Sequence, residues 1–327
     1  MSKHLYGMIL THHGIAANNR GQTEGNITTL QKLLWNGDIY TTVSAEAIKF
    51  GMRYYFQKMS EMQNDNSAKY LLNRTFFEDE IKKEYSLKWK DEKWDTWEKM
   101  QYLDDDLLGF MTGEARKTEN NEITDEEDEE HIEDSSEIKG KTQKKNGPKG
   151  RSYVRKARLE IARAISLTPY SGDITFGSKS GIKDSTSIFN AEVHATCYQY
   201  GFSLTPSHLK NPKNALLAIE GIENLFQVGG NHSRFLFDFS PETIIYRWTD
   251  DFAPRYLYCF ESNENGYNIN KLINKFINGD ILPEEIVIGG MDENHPNYKI
   301  LKDNGVTIYS GIKHAGRDIS DKILKSL

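Results

Sequence analysis

Residues 119–137, ENNEITDEEDEEHIEDSSE, put eleven acidic side chains in one run with no Lys or Arg among them. Such a run repels itself and holds too little apolar surface to offset the entropy of ordering it. The stretch that follows, KGKTQKKNGPKGR at 139–151, is basic, contains glycine and is equally poor in core material. A chain interrupted in this way builds its core from what lies on either side. The 327 residues are 37% hydrophobic, enough for one elaborated domain or two. The acidic block also sets the net charge of −7: without it, 37 of the 48 acids remain against 41 bases, and the body is mildly basic. An anionic partner is therefore not excluded.

The pattern along the chain is that of an α+β protein. HLYGMILTH (4–12) predicts a first strand, NNRGQTEGN a polar loop, and VSAEAIKFGMRYYF (43–56) a helix. Ser44 can cap that helix, and Ala45, Ile48, Met52, Tyr55, Phe56 and Met59 form its apolar stripe. Residues 60–118 have helical composition, and Trp89, Trp94 and Trp97 suit a small helical core better than a base-stacking platform. YVRKARLEIARAISLTP (153–169) reads as a long helix, and 170–192 as an irregular Gly-, Ser- and Asp-rich stretch. VHATCYQYGFSLTP, SRFLFDFS, TIIYRW and RYLYCFE read as strands, 268–278 as a helix, and IVIG and TIYSG as strands. Strand, helix, strands, helix, strand is a ferredoxin-like order.

Few stretches carry chemistry. GSKSG (177–181) lacks the ending of a phosphate-binding loop. VGGNHSRF (228–235) offers a tight Gly229-Gly230 backbone and the donors of Asn231, His232, Ser233 and Arg234; it fits a β-turn or a loop around a phosphodiester backbone. Lys49 and Arg53 lie together on one shoulder of the first helix, either solvated or holding an anion. Asp104–Asp106 and Asp250-Asp251 could supply paired carboxylates for a two-metal nuclease, but a solvated loop or helix cap is the better expectation. His12-His13 would point to opposite faces of a strand. Cys197 and Cys259 fit no metal spacing and read as reduced thiols. No metal, cofactor or catalytic centre is expected. The N-terminus is unlike a signal peptide, no apolar run reaches a membrane span, and the expected location is cytoplasmic. The aromatic strand signature of an RNA-recognition motif is missing.

The run NNRGQTEGNITTLQKLLWNGDIYTTVSAEAIKFGMR (18–53) resembles the opening of the DevR family, the CRISPR-associated backbone subunits of the type I-B Cascade complex. ARAISLTPYSGDITFG, AEVHATCYQYGFSLTP and VGGNHSRFLFDFSPETIIYRWTDDFAPRYLYCFE extend the resemblance in the same order. It implies a right-hand shape: an RRM-like palm from 1–59 and 151–327, a helical finger at 60–118, a disordered linker at 119–150 and a thumb hairpin at 170–191. It also implies a non-catalytic role in antiviral defence. Copies of the chain would line up head-to-tail along a CRISPR RNA and present it for pairing with target DNA, beside the five-prime-handle-binding subunit and the large subunit. Carried onto this sequence, the family's guide-phosphate contacts fall on Arg20, Lys32, Ser44, Lys49 and Arg53, and its second backbone-binding loop on Gly229, Gly230, Asn231, His232 and Arg234. Thr175 and Phe176 fall near the thumb tip. Glu46 stands where many relatives have Gln, and an anion there suits capping or pairing with Lys49, not phosphate. The rival is a metal-dependent RNA endonuclease of the related type III kind. It would need a carboxylate after the first strand, where THHGIAANNRGQ has none.

Overall fold

The computed structural model describes residues 3–62, 68–79, 84–89, 101–113, 152–179, 187–229, 235–264 and 266–327. The run HLYGMILT forms β1 (His4–Thr11), buried at every position because it lies inside a sheet covered on both faces. β2 (Gly14–Ala16), β3 (Asn19–Glu24), β4 (Ile27–Leu30), β5 (Lys32–Trp35) and β6 (Asp38–Val43) lead into α1 (Ala45–Met62). Then come β7 (Arg74–Asp79), β8 (Glu84–Trp89), the short α2 (Leu103–Leu108) and β9 (Phe110–Gly113). The second half opens with β10 (Ser152–Arg155), β11 (Glu160–Ile161) and β12 (Ala164–Ser166). β13 (Asp173–Lys179), β14 (Ser187–Thr196), β15 (Tyr198–Leu204), α3 (Asn214–Glu223) and β16 (Pro241–Thr249) follow. β17 (Glu261–Asn263), β18 (Gly266–Asn268), α4 (Asn270–Ile277), β19 (Ile286–Gly289), α5 (Tyr298–Asp303), β20 (Thr307–Tyr309) and α6 (Ile312–Leu324) complete the chain.

The main sheet has the order β20-β19-β16-β1-β15-β12-β6-β5, with β11 also on β15. Among the described strands of this sheet, only β19 and β20 pair in parallel. Alternation along the central strands separates two cores. Leu5, Ile9, Tyr198, Tyr200, Phe202 and Tyr246 face α1, α3 and α6. Tyr6, Met8, Leu10, Ile245, Ile286 and Ile288 face α4, α5 and the 256–260 turn. From α1, Ile48, Met52 and Phe56 are fully buried, each worth about 1.5–3 kcal/mol of apolar transfer. A second sheet, β13-β14-β4-β3 with β2 on β14, lies beside the first and carries the long hairpin β13–β14.

The expectations for β1, α1, β16, α4, β19 and β20 agree with the structure. Others are corrected. The helix expected over 153–169 is instead β10, β11 and β12. Its apolar spacing fits either state, and pairing of β12 with both β15 and β6 decides it. The polar loop NNRGQTEGN is instead strand β3 and a turn at Gly25 that pairs it with β4. Among the described residues of 60–118, two strands form a hairpin and the one α-helix outside α1 is α2. Trp94 and Trp97 lie outside the described residues, as does the Trp89 side chain. SRFLFDFS is no strand over its described part: Leu236 is left-handed, and Phe237 and Phe239 plug the core against Tyr198. In RYLYCFE, left-handed Arg255 and Tyr258 fold the chain into a turn, and only Glu261 enters a strand.

One buried acid gives the fold a pH signature. Glu223 accepts a hydrogen bond from the Tyr246 hydroxyl at 2.9 Å, and Lys313 is 3.9 Å away. Burial raises its carboxyl pKa from 4.5 to about 7. The folded state thus holds this proton more tightly than the unfolded one. The resulting stability is present below pH 4.5 and is lost as pH rises through about 7. Glu223→Gln should therefore raise stability by about 1–2 kcal/mol at pH 8 and change it little at pH 5, measured by urea unfolding. A variant less stable at pH 8 than at pH 5, relative to wild type, would contradict this.

Candidate nucleic-acid interface

Ser44 caps α1, its Oγ accepting the Ala47 N–H at 3.2 Å. One turn on, Lys49 and Arg53 leave the helix beside its buried stripe, and neither is simply solvated. Lys49 is half-buried and makes no hydrogen bond or salt bridge among the described residues. Desolvation lowers its pKa, and the charge of Glu46, three residues earlier on the helix, opposes that shift. The Arg53 side chain is only 14% exposed, and its Nε is buried without a hydrogen-bond partner, 3.8 Å from Asp104 Oδ2. Burial, then the neighbouring Arg74, bring its pKa down to about 10. Two cations withdrawn from water without full compensation are attractive to an anion.

Gly51, between them, fixes a second piece of backbone. A Cβ there would lie 2.6 Å from the Gln227 carbonyl oxygen and 3.1 Å from Val228 Cγ2, so only glycine lets the 225–228 segment close on α1. That segment ends at Gly229, which is left-handed at φ 79°. Gly230, Asn231, His232 and Arg234 lie outside the described residues.

Lys32 is engaged elsewhere. Its Nζ is 2.6 Å from Glu192 Oε1 and 4.7 Å from the centre of the Tyr170 ring. Glu192 also accepts the Leu30 N–H at 2.7 Å, tying β4 and β5 to the root of the β13–β14 hairpin. Arg20 falls on β3, two strands from β14 in the second sheet, with its side chain outside the described set. Thr175 and Phe176 lie mid-strand on β13, opposite Ala191 and Asn190. Phe176 is 79% exposed, whereas Thr175 donates to the Ala191 carbonyl.

Sequence reasoning missed the support beneath this surface. Asp104, Asp105 and Asp106 are not a solvated cap; they are fully buried on α2. Asp104 accepts from the Asn73 and Arg74 backbone N–H groups and from Arg74 Nε at 3.1 Å. Asp105 takes Arg74 Nη2 at 3.1 Å and Asn73 Nδ2 at 2.8 Å. Asp106 takes Arg155 Nη2 at 3.0 Å, the Lys210 and Asn211 N–H groups and Asn214 Nδ2. Arg53 stands at the rim of this cluster. The usable signal was Arg74, a cation among the apolar residues of LLNRTFF. Asp251 is likewise spent on Arg247 and Arg255, and His12 and His13 are exposed. Among the described residues no group of His, Cys, Asp or Glu could hold a metal ion, and no helix is long and apolar enough to cross a membrane.

The family model described as CRISPR-associated negative auto-regulator DevR/Csa2 matches residues 11–273. The chain belongs to the DevR/Csa2 family. It is 40% identical over 304 residues to the CRISPR-associated protein Cas7/Cst2/DevR of Myxococcus xanthus (strain DK1622), covering 89% of this chain and 87% of that one. Two solved structures share the fold of this DevR/Csa2 chain. One is a chain of a CRISPR RNA-guided surveillance complex, with TM-score 0.52, 11% identity and 98% and 99% of the two chains covered. The other is from a pre-nicking complex of that kind, with TM-score 0.55, 9% identity and 98% and 100% covered.

Proposed function

We propose that this DevR/Csa2 chain is a non-catalytic backbone subunit of a type I-B CRISPR surveillance complex. It polymerises head-to-tail along a CRISPR RNA and holds the guide by its phosphates for pairing with target DNA. The five-prime-handle-binding subunit and the large subunit are its other partners. The observation that carries the reading is Lys49: a half-buried ammonium without a hydrogen bond or salt bridge, one turn from an under-satisfied Arg53, where the Gly229 segment meets α1.

The fold supports the same reading. β1-α1-β12-β15-α3-β16, in the spatial order β16-β1-β15-β12, has the connectivity of a ferredoxin-like palm, with α1 and α3 on one face. We assign the β13–β14 hairpin as the thumb, with exposed Phe176 against a base of the guide. Residues 60–118 are assigned as the finger and 119–150 as a linker, of which 119–137 is dispensable for assembly. A metal-dependent nuclease gains nothing from Asp104–Asp106, whose oxygens are already taken by Arg74, Arg155 and backbone N–H groups. In tests, protein purified with its CRISPR locus expressed should carry a small RNA of defined length, intact after incubation with Mg²⁺ or Mn²⁺. Recovery without RNA, or metal-dependent shortening of the RNA, would contradict the reading.

A further inference from the structure

The other face of the main sheet holds a cavity of about 580 Å³ that the guide-facing cations do not reach. The register of β5 with β6 pairs Leu33 with Tyr40 and Lys32 with Thr41, so Trp35 and Tyr40 share one face while Lys32 and Thr41 share the other. Thr41 Oγ1 is 3.0 Å from the Tyr198 hydroxyl, which lies on the α1 side. Gln199, the next residue, therefore points to the opposite face, with Trp35 and Tyr40.

Trp35, Tyr40, Tyr258 and Phe260 give the cavity aromatic walls. An Asn36-Gly37 turn, with φ 51° and 93°, holds the β5–β6 hairpin in place, and Trp35 packs on Tyr258 at 5.3 Å. The Tyr258 hydroxyl donates to the Arg163 carbonyl at 2.9 Å, which fixes its ring. Gln199 lines the cavity and is 8% exposed. Its Nε2 donates to the Phe260 carbonyl, but Oε1 is buried and has no hydrogen-bond partner among the described residues. Glu261 stands at the wall, and Lys271, 3.3 Å from it, is the one cation among the lining residues.

We infer that this cavity receives an arginine side chain presented by a partner polypeptide on the face of the sheet away from the guide. Aromatic faces attract a cation, an acceptor without a donor calls for an N–H, and a carboxylate at the wall adds charge complementarity. Guanidinium supplies all three from one planar group with five donors. A nucleic-acid strand is a poorer occupant, because the lining offers its phosphates one cation, Lys271, with the Glu261 carboxylate beside it to repel them. That this face lies away from the guide rests on the proposed function; the binding of arginine does not.

The test is a titration of the RNA-free protein with acetyl-Gly-Arg-Gly-amide, followed through the Trp35 indole N–H in heteronuclear NMR, assigned with Trp35→Phe. Saturable shifts are expected. The peptide with citrulline in place of arginine should bind about tenfold more weakly, as should Gln199→Leu and Glu261→Gln protein. Adenosine should leave the signal unmoved. Adenosine binding as tightly as the arginine peptide would make the cavity a base pocket and overturn the inference. So would equal binding of the citrulline peptide, or unchanged affinity in both variants. Concentration-dependent self-association that competes with the peptide would assign the cavity to a second copy and overturn the choice of partner.

Discussion

Asp104→Asn should destabilise the protein by about 3–5 kcal/mol, a large fraction of a domain's total stability. Asp104 has no exposed surface, and its two oxygens serve two backbone N–H groups and the Arg74 guanidinium, with Arg53 beyond. Removing the charge takes one buried carboxylate from the Arg74 side chain, 8% exposed and also paired with Asp105, and puts an amide where two N–H donors need acceptors. The Glu61→Ala control breaks the Lys58–Glu61 pair, whose side chains are 48% and 49% exposed, and should cost no more than about 0.5 kcal/mol. Urea unfolding measures both. A loss below about 1 kcal/mol for Asp104→Asn would mean that the cluster is better hydrated than its burial indicates.

The second large effect concerns RNA. Lys49→Ala combined with Arg53→Ala should weaken binding of a single-stranded guide about tenfold per subunit at physiological salt. It should also flatten the slope of log K against log salt by about 1.4, two phosphate contacts at roughly 0.7 each. The fold should survive, because Asp104 keeps Arg74 at 3.1 Å when Arg53, at 3.8 Å, is gone. Lys49 has no salt bridge to lose among the described residues, and its lowered pKa marks it as a burden on the free protein. An unchanged slope in a folded double variant would mean that the two cations face protein and not phosphate.

How much of this could be read in the sequence depended on how local the cause was. The α1 helix was legible because Ser44, the apolar stripe and the Lys49/Arg53 shoulder all follow from one helical period. IVIG and TIIYRW were legible as continuous apolar runs inside a covered sheet. Residues 153–169 misled because Val154, Ala157, Ile161, Ala164 and Ile165 recur at helical spacing, while the strand partners of 164–166 lie at 42–43 and 198–199, far along the chain. RYLYCFE misled because the left-handed backbone of Arg255 and Tyr258 leaves no mark in residues of those types. Asp104–Asp106 looked solvated because their partners, Arg74, Arg155 and the 210–214 turn, come together only in the folded chain. That Lys49 and Arg53 share one shoulder of α1 followed from spacing alone, whereas the burial of Arg53 beside Asp104 did not. Nor did the commitment of Lys32 to Glu192, 160 residues away.

The central claim is that many copies of this chain assemble on one guide. The guide grip we propose, where the segment ending at Gly229 meets the Lys49/Arg53 shoulder of α1, and the β13–β14 hairpin are different parts of one subunit, which suits a contact that repeats without closing. Mass photometry on guides of increasing length tests it most directly. The account predicts bound mass rising in steps of one 37.6 kDa subunit as the guide lengthens, with assembly weakened by high salt and absent without RNA. One subunit per guide at every length would contradict it.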